Sequence, residues 1–346
     1  MKFDPNATGV ASAGIFGLPF TFEEAKLVLL PIPWEVTTSY GNGTSLGPDA
    51  VYECSRQIDV THADTGHAYE KGMFWLNSKQ AGWKALNDKL KPMAVKIKNH
   101  LETGSEIVGG FLQMQEQINL QGAQFHDDVY QTCKEILAQN KILGIVGGDH
   151  SSPFGALRAI SEKYKGDFTV IHVDAHADLR KSYQGYEFSH ASIMRNVMEH
   201  GLAKKLIQLG IRDYCPEEAE FIESRKDITT YYDRATKRRL AKGESWISIC
   251  EDVLKQIPTQ NVYFSFDIDG LNPALCPHTG TPVPGGLDYD QAIELFNFIY
   301  TNKKRIIGFD LCEVSPPAPE ELDGWDGNVG SRVLYNLCCY ALASND

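Results

Sequence analysis

No uninterrupted apolar run in the 346-residue sequence approaches the roughly 20 residues that span a bilayer, and Met1 to Gly14 lack the basic start and apolar stretch of a leader. The 8 cysteines include the pair Cys338-Cys339 but no Cys-X-X-Cys and no dense spacing, which argues against both a disulfide framework and a cysteine-built zinc site. Reduced thiols and a cytoplasmic location are the expectation. Positive charge is also in short supply: 33 Lys+Arg stand against 45 Asp+Glu, a net charge of -12. That balance disfavours nucleic acid or an anionic membrane as partner and favours a small cationic substrate. No Ser/Pro/Gly-rich linker, charged block or repeat divides the chain, so residues 1–346 read as one domain despite their length.

What is present is a set of polar clusters, each placed after an apolar, strand-like run. Val173-Asp174-Ala175-His176-Ala177-Asp178 follows Phe168 to His172, Gly147-Gly148-Asp149-His150-Ser151-Ser152 follows Leu143 to Val146, and Asp267-Ile268-Asp269-Gly270 closes Asn261 to Phe266. In an extended segment residues i, i+2 and i+4 share a side, so Asp174, His176 and Asp178 can face one cavity, as can Asp267 and Asp269. One Asp-X-His alone would read as a turn or cap, but three clusters at strand ends are how α/β sheets present ligands. Carboxylates crowded together cannot all ionise without a cation. Carboxylate-rich ligation with two imidazoles and no thiolate suits a hard to borderline divalent ion such as manganese. An EF-hand is excluded, because position six from Asp174 is Leu179 and position twelve is Gly185.

These segments, with SHAS at 189–192, TGTPVPGGL at 279–287 and CEVSPP at 312–317, resemble the ureohydrolases: arginase, agmatinase, formiminoglutamase and their relatives. They stand in the family's order, and Thr37 to Thr44 with Gly47-Pro48 is similar to its N-terminal segment. The resemblance implies two Mn2+ ions, with Ni2+ as the alternative. It implies one ion on His150, Asp174, Asp178 and Asp267 and its neighbour on Asp174, His176, Asp267 and Asp269. It further implies hydrolysis of a guanidino compound to urea and an amine by a shared, activated water. Asp178 would orient that water, His190 would carry a proton to the leaving amine, Glu313 would bind the guanidinium and Thr281 would flank it. Family members are usually trimers or hexamers, so a homotrimer or homohexamer is expected.

Substrate choice rests on departures from the arginase pattern. Asp178 is followed by Leu179-Arg180-Lys181 where arginases have the asparagine and serine that hold the amino-acid carboxylate. Cys215 stands where arginases place an aspartate for the α-amino group, and His190 is a residue that formiminoglutamases generally lack. The segment DLRKSYQGYEFSHASIMR reads most like agmatinases, so agmatine, giving putrescine in a polyamine route, is the first expectation. Glu187, Asp213 and Glu218 are candidates for its distal ammonium. Guanidinobutyrate, which an inward Arg180 would favour, and free guanidine are the alternatives. A one-metal deacetylase lacks support because GGDHSS replaces its paired histidines, and a non-catalytic paralogue would have lost ligands that are all kept here.

Apolar strands at 26–30, 143–146, 168–173, 205–211, 262–266 and 306–311 alternate with helical stretches, which predicts a parallel sheet with helices on both faces. The resemblance makes this the three-layer α/β/α arginase-like fold, with residues 1–20 as an N-terminal arm and 79–130 as a divergent helical segment. Within the latter, Leu86, Leu90, Met93, Ile97 and Leu101 predict one helix, and Val129, Cys133, Ile136 and Leu137 a second. The Gly- and Gln-rich stretch from Glu106 to Phe125 reads as packing helix and loop, with an oligomer contact or a lid as the sharper alternative.

Overall fold

The computed structural model describes residues 4–6 and 13–346; the rest of the expected arm at 1–20 lies outside the described residues. Eight strands form a single all-parallel sheet: β1 (Leu27–Ile32), β2 (Met73–Trp75), β3 (Ile142–Gly147), β4 (Phe168–Val173), β5 (Lys205–Ile211), β6 (Ile228–Tyr232), β7 (Asn261–Asp267) and β8 (Arg305–Cys312). Their order across the sheet is β2-β1-β3-β8-β7-β4-β5-β6. All six strands expected from the apolar runs are present. The two unexpected ones are the edges: β2 is three residues long, and β6 alternates little and is only partly buried. Central strands such as Phe168-Thr169-Val170-Ile171-His172-Val173 are buried along their whole length, as a sheet covered on both faces requires.

The helices are α1 (Gly47–Ser55), α2 (Gln80–Glu102), α3 (Gly110–Ala138), α4 (Phe154–Tyr164), α5 (Ile193–Glu199), α6 (Pro216–Ser224), α7 (Asp233–Ala241), α8 (Trp246–Lys255), α9 (Tyr289–Thr301) and α10 (Trp325–Ser344). Residues of α1, α8, α9 and α10 share one buried apolar cluster with the sheet. Those of α2, α3, α4 and α5 share a second cluster on the other face. No described helix is long and apolar enough to cross a membrane.

The stretch 106–125 is a short non-helical segment followed by helix, and α3 runs unbroken from Gly110 for 29 residues. Its buried stripe is Ile118, Gly122, Phe125, Val129, Cys133 and Ile136, a regular i+3/i+4 pattern that begins only after the first two turns, whose apolar residues Phe111, Leu112 and Met114 are not fully buried. Glycine in a helix costs about 1 kcal/mol, which packing along this stripe offsets.

Sheet order decides where chemistry can occur. The three clusters singled out in the sequence and the CEVSPP segment leave the carboxyl ends of β3, β4, β7 and β8, which are consecutive neighbours at the sheet's centre. Residues 163 positions apart, such as His150 and Glu313, therefore come within hydrogen-bonding distance.

Candidate functional site

Each turn that leaves these strands has a conformational requirement. A Cβ on Gly148 would lie 1.9 Å from the Trp34 carbonyl, so only glycine lets the β3 turn pass and deliver Asp149 and His150. Asp178 and Glu313 have φ of 54° and 63°, left-handed conformations that cost a non-glycine residue roughly 1–2 kcal/mol. Two residues singled out for chemistry are thus held where sterics disfavour them, a pattern associated with functional sites.

The side chains of the six expected metal ligands converge at this edge. His150 Nδ1 lies 3.0 Å from Asp174 Oδ2, 3.2 Å from Asp178 Oδ2 and 3.4 Å from Asp267 Oδ2. His176 Nδ1 lies 3.1 Å from Asp269 Oδ2 and 3.5 Å from Asp174 Oδ1. Asp174 therefore presents one oxygen to each imidazole. Asp267 differs: its Oδ1 accepts the Asp269 N–H at 2.8 Å, so only Oδ2 faces His150. His150 and all four aspartates are buried, whereas His176 is partly open.

The charges in this cluster ask for a cation. Burial, reinforced by the neighbouring Asp174, pushes the Asp178 carboxyl up to about 6, and burial with Asp269 and Asp174 raises Asp267 well above the usual range. Four carboxylates and two imidazoles in so small a buried space fit a pair of divalent ions, which would let all four ionise.

A supporting layer was not singled out in the sequence. His172 Nε2 lies 2.9 Å from Asp174 Oδ2, and the Gln208 amide nitrogen is 3.0 Å from His172 Nδ1. That amide nitrogen also donates to the Ala177 carbonyl, and Thr230 donates to Gln208 Oε1. With Gln208 donating to Nδ1, the network places the His172 proton on Nε2, where it donates to Asp174. On the far side of His150, Nε2 lies 2.9 Å from Ser265 Oγ, which donates to Asp310 Oδ1 at 3.1 Å. Gln208 and Asp310 each interrupt an apolar strand, and a fully buried polar residue inside such a run is the signal that identifies them.

Glu313 is held on three sides. Its Oε1 accepts the His150 N–H at 3.0 Å, its carbonyl accepts from Thr279 Oγ1 at 2.8 Å, and its own N–H donates to the Gly148 carbonyl at 2.8 Å. Oε2 accepts no hydrogen bond from the described residues. Burial and the nearby Asp149 raise this carboxyl well above its usual range, so an incoming cation would be welcome. Thr281 is close by, its Oγ1 3.5 Å from Asp269 Oδ2. His190 lies with Nδ1 3.5 Å from Thr37 Oγ1 and Nε2 3.3 Å from Ser39 Oγ. Burial, with His176 adding to it, pushes this imidazole down to about 3 and keeps it neutral. Thr37, Ser39 and Asp149, which accepts from Thr37 at 3.1 Å, had no assigned role in the sequence, although the first two fall in the N-terminal segment noted there.

The candidates for the substrate's far end separate. Asp213 is exposed and is joined to His176 by a parallel backbone bridge, and Glu187 is exposed in the segment before His190. Glu218 is corrected: it is buried, accepting the Leu179 N–H at 2.9 Å and the Cys215 N–H at 2.8 Å as the capping carboxylate of α6. Both its oxygens are engaged with backbone, so no ammonium is assigned to it. Arg180 lies over the Tyr183 ring at 4.9 Å, and Tyr183 meets the His190 ring edge-on at 5.9 Å.

Comparison with known proteins places these features in a wider group. The arginase-family profile matches residues 25–339. N(1)-aminopropylagmatine ureohydrolase of Synechocystis sp. is 29% identical over 298 residues, covering 86% of this chain and 83% of that protein. Guanidinobutyrase of Pseudomonas aeruginosa is 33% identical over 342 residues, covering 97% and 93%. Among solved structures, proclavaminate amidino hydrolase from Streptomyces clavuligerus superposes with a TM-score of 0.73 at 20% identity, covering 98% of this chain and 100% of that one. Agmatine ureohydrolase of Thermoplasma volcanium gives 0.69 at 22% identity, covering 98% and 95%. At these identities the two structures establish the likeness of fold.

Proposed function

The chain belongs to the arginase family and is a ureohydrolase of guanidino compounds, and from that premise we propose that its substrate is agmatine, cleaved to putrescine and urea. The observation that carries the reading is Glu313 Oε2, a carboxylate oxygen with no partner among the described residues, set beside a cluster of four aspartates and two imidazoles. The family depends on a dinuclear metal centre. When bound by His150, Asp174, His176, Asp178, Asp267 and Asp269, two divalent ions, Mn2+ before Ni2+, would supply an activated water and stabilise developing negative charge.

The protein's own residues do the rest. Glu313 pairs with the guanidinium and holds its carbon in line for attack, which matters because that carbon is a poor electrophile. Thr281 borders the same face. Asp178, fixed by its left-handed backbone, accepts a hydrogen bond from the attacking water. As the carbon–nitrogen bond to the alkylamine breaks, the amine takes up a proton that the attacking water gives up, and His190 is the side chain assigned to relay it. Asp213 and Glu187 are the acidic groups that can meet the distal ammonium, and a longer polyamine tail would meet the same rim.

A second reading is favoured by Arg180. Its guanidinium, stacked on Tyr183 beside His190, offers a cation to a carboxylate-bearing substrate such as 4-guanidinobutyrate. A urea-release screen of manganese-loaded and nickel-loaded protein against agmatine, aminopropylagmatine, 4-guanidinobutyrate, arginine and guanidine decides between them. Agmatine is expected to give the highest kcat/KM, and a preference for its aminopropyl derivative would move the assignment to that longer amine. A preference for 4-guanidinobutyrate would move the assignment to the second reading.

A further inference from the structure

Helices α2 and α3 carry none of the family's motifs, yet their polar side chains end on the two loops that surround His190. From α2, Asn87 Oδ1 accepts the Glu35 N–H at 2.8 Å, and Lys91 Nζ donates to the Glu35 carbonyl at 2.8 Å and to Thr38 Oγ1. The Glu35 carboxylate accepts the Gly43 and Ser45 N–H groups at 2.7 and 3.1 Å, which closes the 35–45 loop on itself. That loop supplies Thr37 and Ser39, the hydroxyls nearest the two ring nitrogens of His190, and Thr37 Oγ1 also accepts the His190 N–H at 3.2 Å.

From α3, Gln115 donates to the Gln184 carbonyl and Asn119 to the Gly185 carbonyl, both at 2.9 Å. These two carbonyls lie in the loop that leads into His190 and carries Tyr183 against its ring. The backbone there is left-handed, with φ of 53° at Gln184 and 82° at Gly185, and a Cβ at Gly185 would lie 2.0 Å from Gln115 Nε2. Both loops are irregular and would be mobile if left to themselves, because few of their backbone groups are paired within a sheet or helix. A lysine drawn into a half-buried position to satisfy a loop carbonyl and hydroxyl is costly unless that loop must be held.

We propose that Lys91 and Gln115 are positioning residues that fix His190, Lys91 by anchoring the 35–45 loop and Gln115 by anchoring the 183–188 loop. The functional consequence rests on the reading of His190 as the proton carrier. Neither side chain touches the substrate in this account. Each acts through the place it gives the imidazole, so binding should be spared and turnover should not, since misplacement by about 1 Å can cost 10²-fold.

The test uses the full-length, manganese-loaded protein with Lys91→Met, Gln115→Ala, His190→Ala and the double variant Lys91→Met/His190→Ala, assayed with agmatine and 4-guanidinobutyrate. Lys91→Met is expected to lower kcat roughly 10- to 100-fold with KM within about twofold and metal content unchanged. Added to His190→Ala it should cause no further loss, because residues acting as a unit are non-additive. Full additivity in the double variant, or wild-type kcat in both Lys91→Met and Gln115→Ala, overturns the proposal. Histidine-selective 15N NMR gives a readout that needs no substrate: the His190 ring signals, assigned by their loss in His190→Ala, should shift in both anchoring variants, and unmoved signals overturn it. If His190→Ala itself keeps wild-type activity, the proton-carrier reading fails, while the NMR still decides whether these residues position the ring. Should Lys91→Met not fold, Gln115→Ala, a substitution that favours helix, carries the same measurements.

Discussion

The main-chain N–H of His150 donates to Glu313 Oε1 at 3.0 Å, so the turn that delivers an imidazole to the aspartate cluster also orients the carboxylate assigned to the guanidinium. Only Oε2 is left for substrate. Glu313→Gln keeps an oxygen acceptor for His150 but removes the charge. It is expected to lower kcat/KM by about 10²–10³, the scale of a charge-assisted pair in a dry site, with metal content unchanged. Kinetics with parallel metal analysis check this; an unaltered kcat/KM would remove Glu313 from the binding machinery.

Asp267→Asn tests the metal assignment. The wild-type chain should hold two divalent ions, and the variant, which keeps the Oδ1 acceptor for the Asp269 N–H but loses a carboxylate charge, should lose at least one and release no urea. Elemental analysis after gel filtration reads the outcome. One ion in fully active protein, or full activity in the variant, would sink the two-metal mechanism.

Cys276 and Cys312 lie close to the site but should not be ligands. Both thiols are buried in the core, and Cys312 Sγ donates to Asp310 Oδ1 at 3.7 Å, a carboxylate outside the six expected ligands. Alanine at each position should leave metal stoichiometry at the wild-type value and cost about 1 kcal/mol of stability, as is usual for small core changes. Loss of an ion on either substitution contradicts this.

His126 should make the protein acid-sensitive. It is buried on α3 among Phe125, Phe154 and Phe188, and neither ring nitrogen has a hydrogen-bond partner among the described residues. Burial, helped by Arg158, lowers its pKa from 6.5 to about 3. The unfolded chain then binds the extra proton between these two values, so stability falls as the pH drops from about 6.5 toward 3, at up to about 1.4 kcal/mol per pH unit from this group. Denaturant midpoints measured from pH 4 to 7.5 on metal-free protein should flatten in His126→Leu, and an unchanged slope would show that another group governs acid unfolding.

Arginine should be a poor substrate. Cys215 is the N-cap of α6, and Arg180 leans toward Tyr183 and Glu218, so no carboxylate from Cys215 and no asparagine–serine pair awaits an amino-acid head. Unpaired buried charge of this kind can cost several orders of magnitude in kcat/KM, and at least a 100-fold deficit against the preferred guanidine is expected. A kcat/KM for arginine equal to that for agmatine would contradict this account of the pocket.

The legible parts of the molecule were those with a strong local pattern. Fully buried strands such as β4 and β7 appear as continuous apolar runs, and the aspartates and histidines that follow them stand out because polar residues end those runs abruptly. β2 and β6 gave no such signal, since an edge strand is short or half-exposed and need not be apolar. The first half of α3 was obscured by glycines and glutamines, which its later packing stripe tolerates. Glu218 was misassigned because a capping carboxylate and a surface carboxylate look alike until the helix start is known. Thr37 and Ser39 owe their place beside His190 to side chains of α2, a relationship between distant residues that no local spacing encodes.

The central sheet order has a consequence for how the chain acquires its activity. β3, β8, β7 and β4 are adjacent in space but are drawn from both halves of the sequence, and parallel pairings between such distant segments form late because loop closure must precede them. No fragment ending before Asp267 can contain the whole cluster, so the full ligand set is assembled only when the β7 and β8 segments have joined the sheet. A divalent ion bound by the completed cluster would, by mass action, stabilise molecules in which the centre of the sheet has closed over those in which it has not.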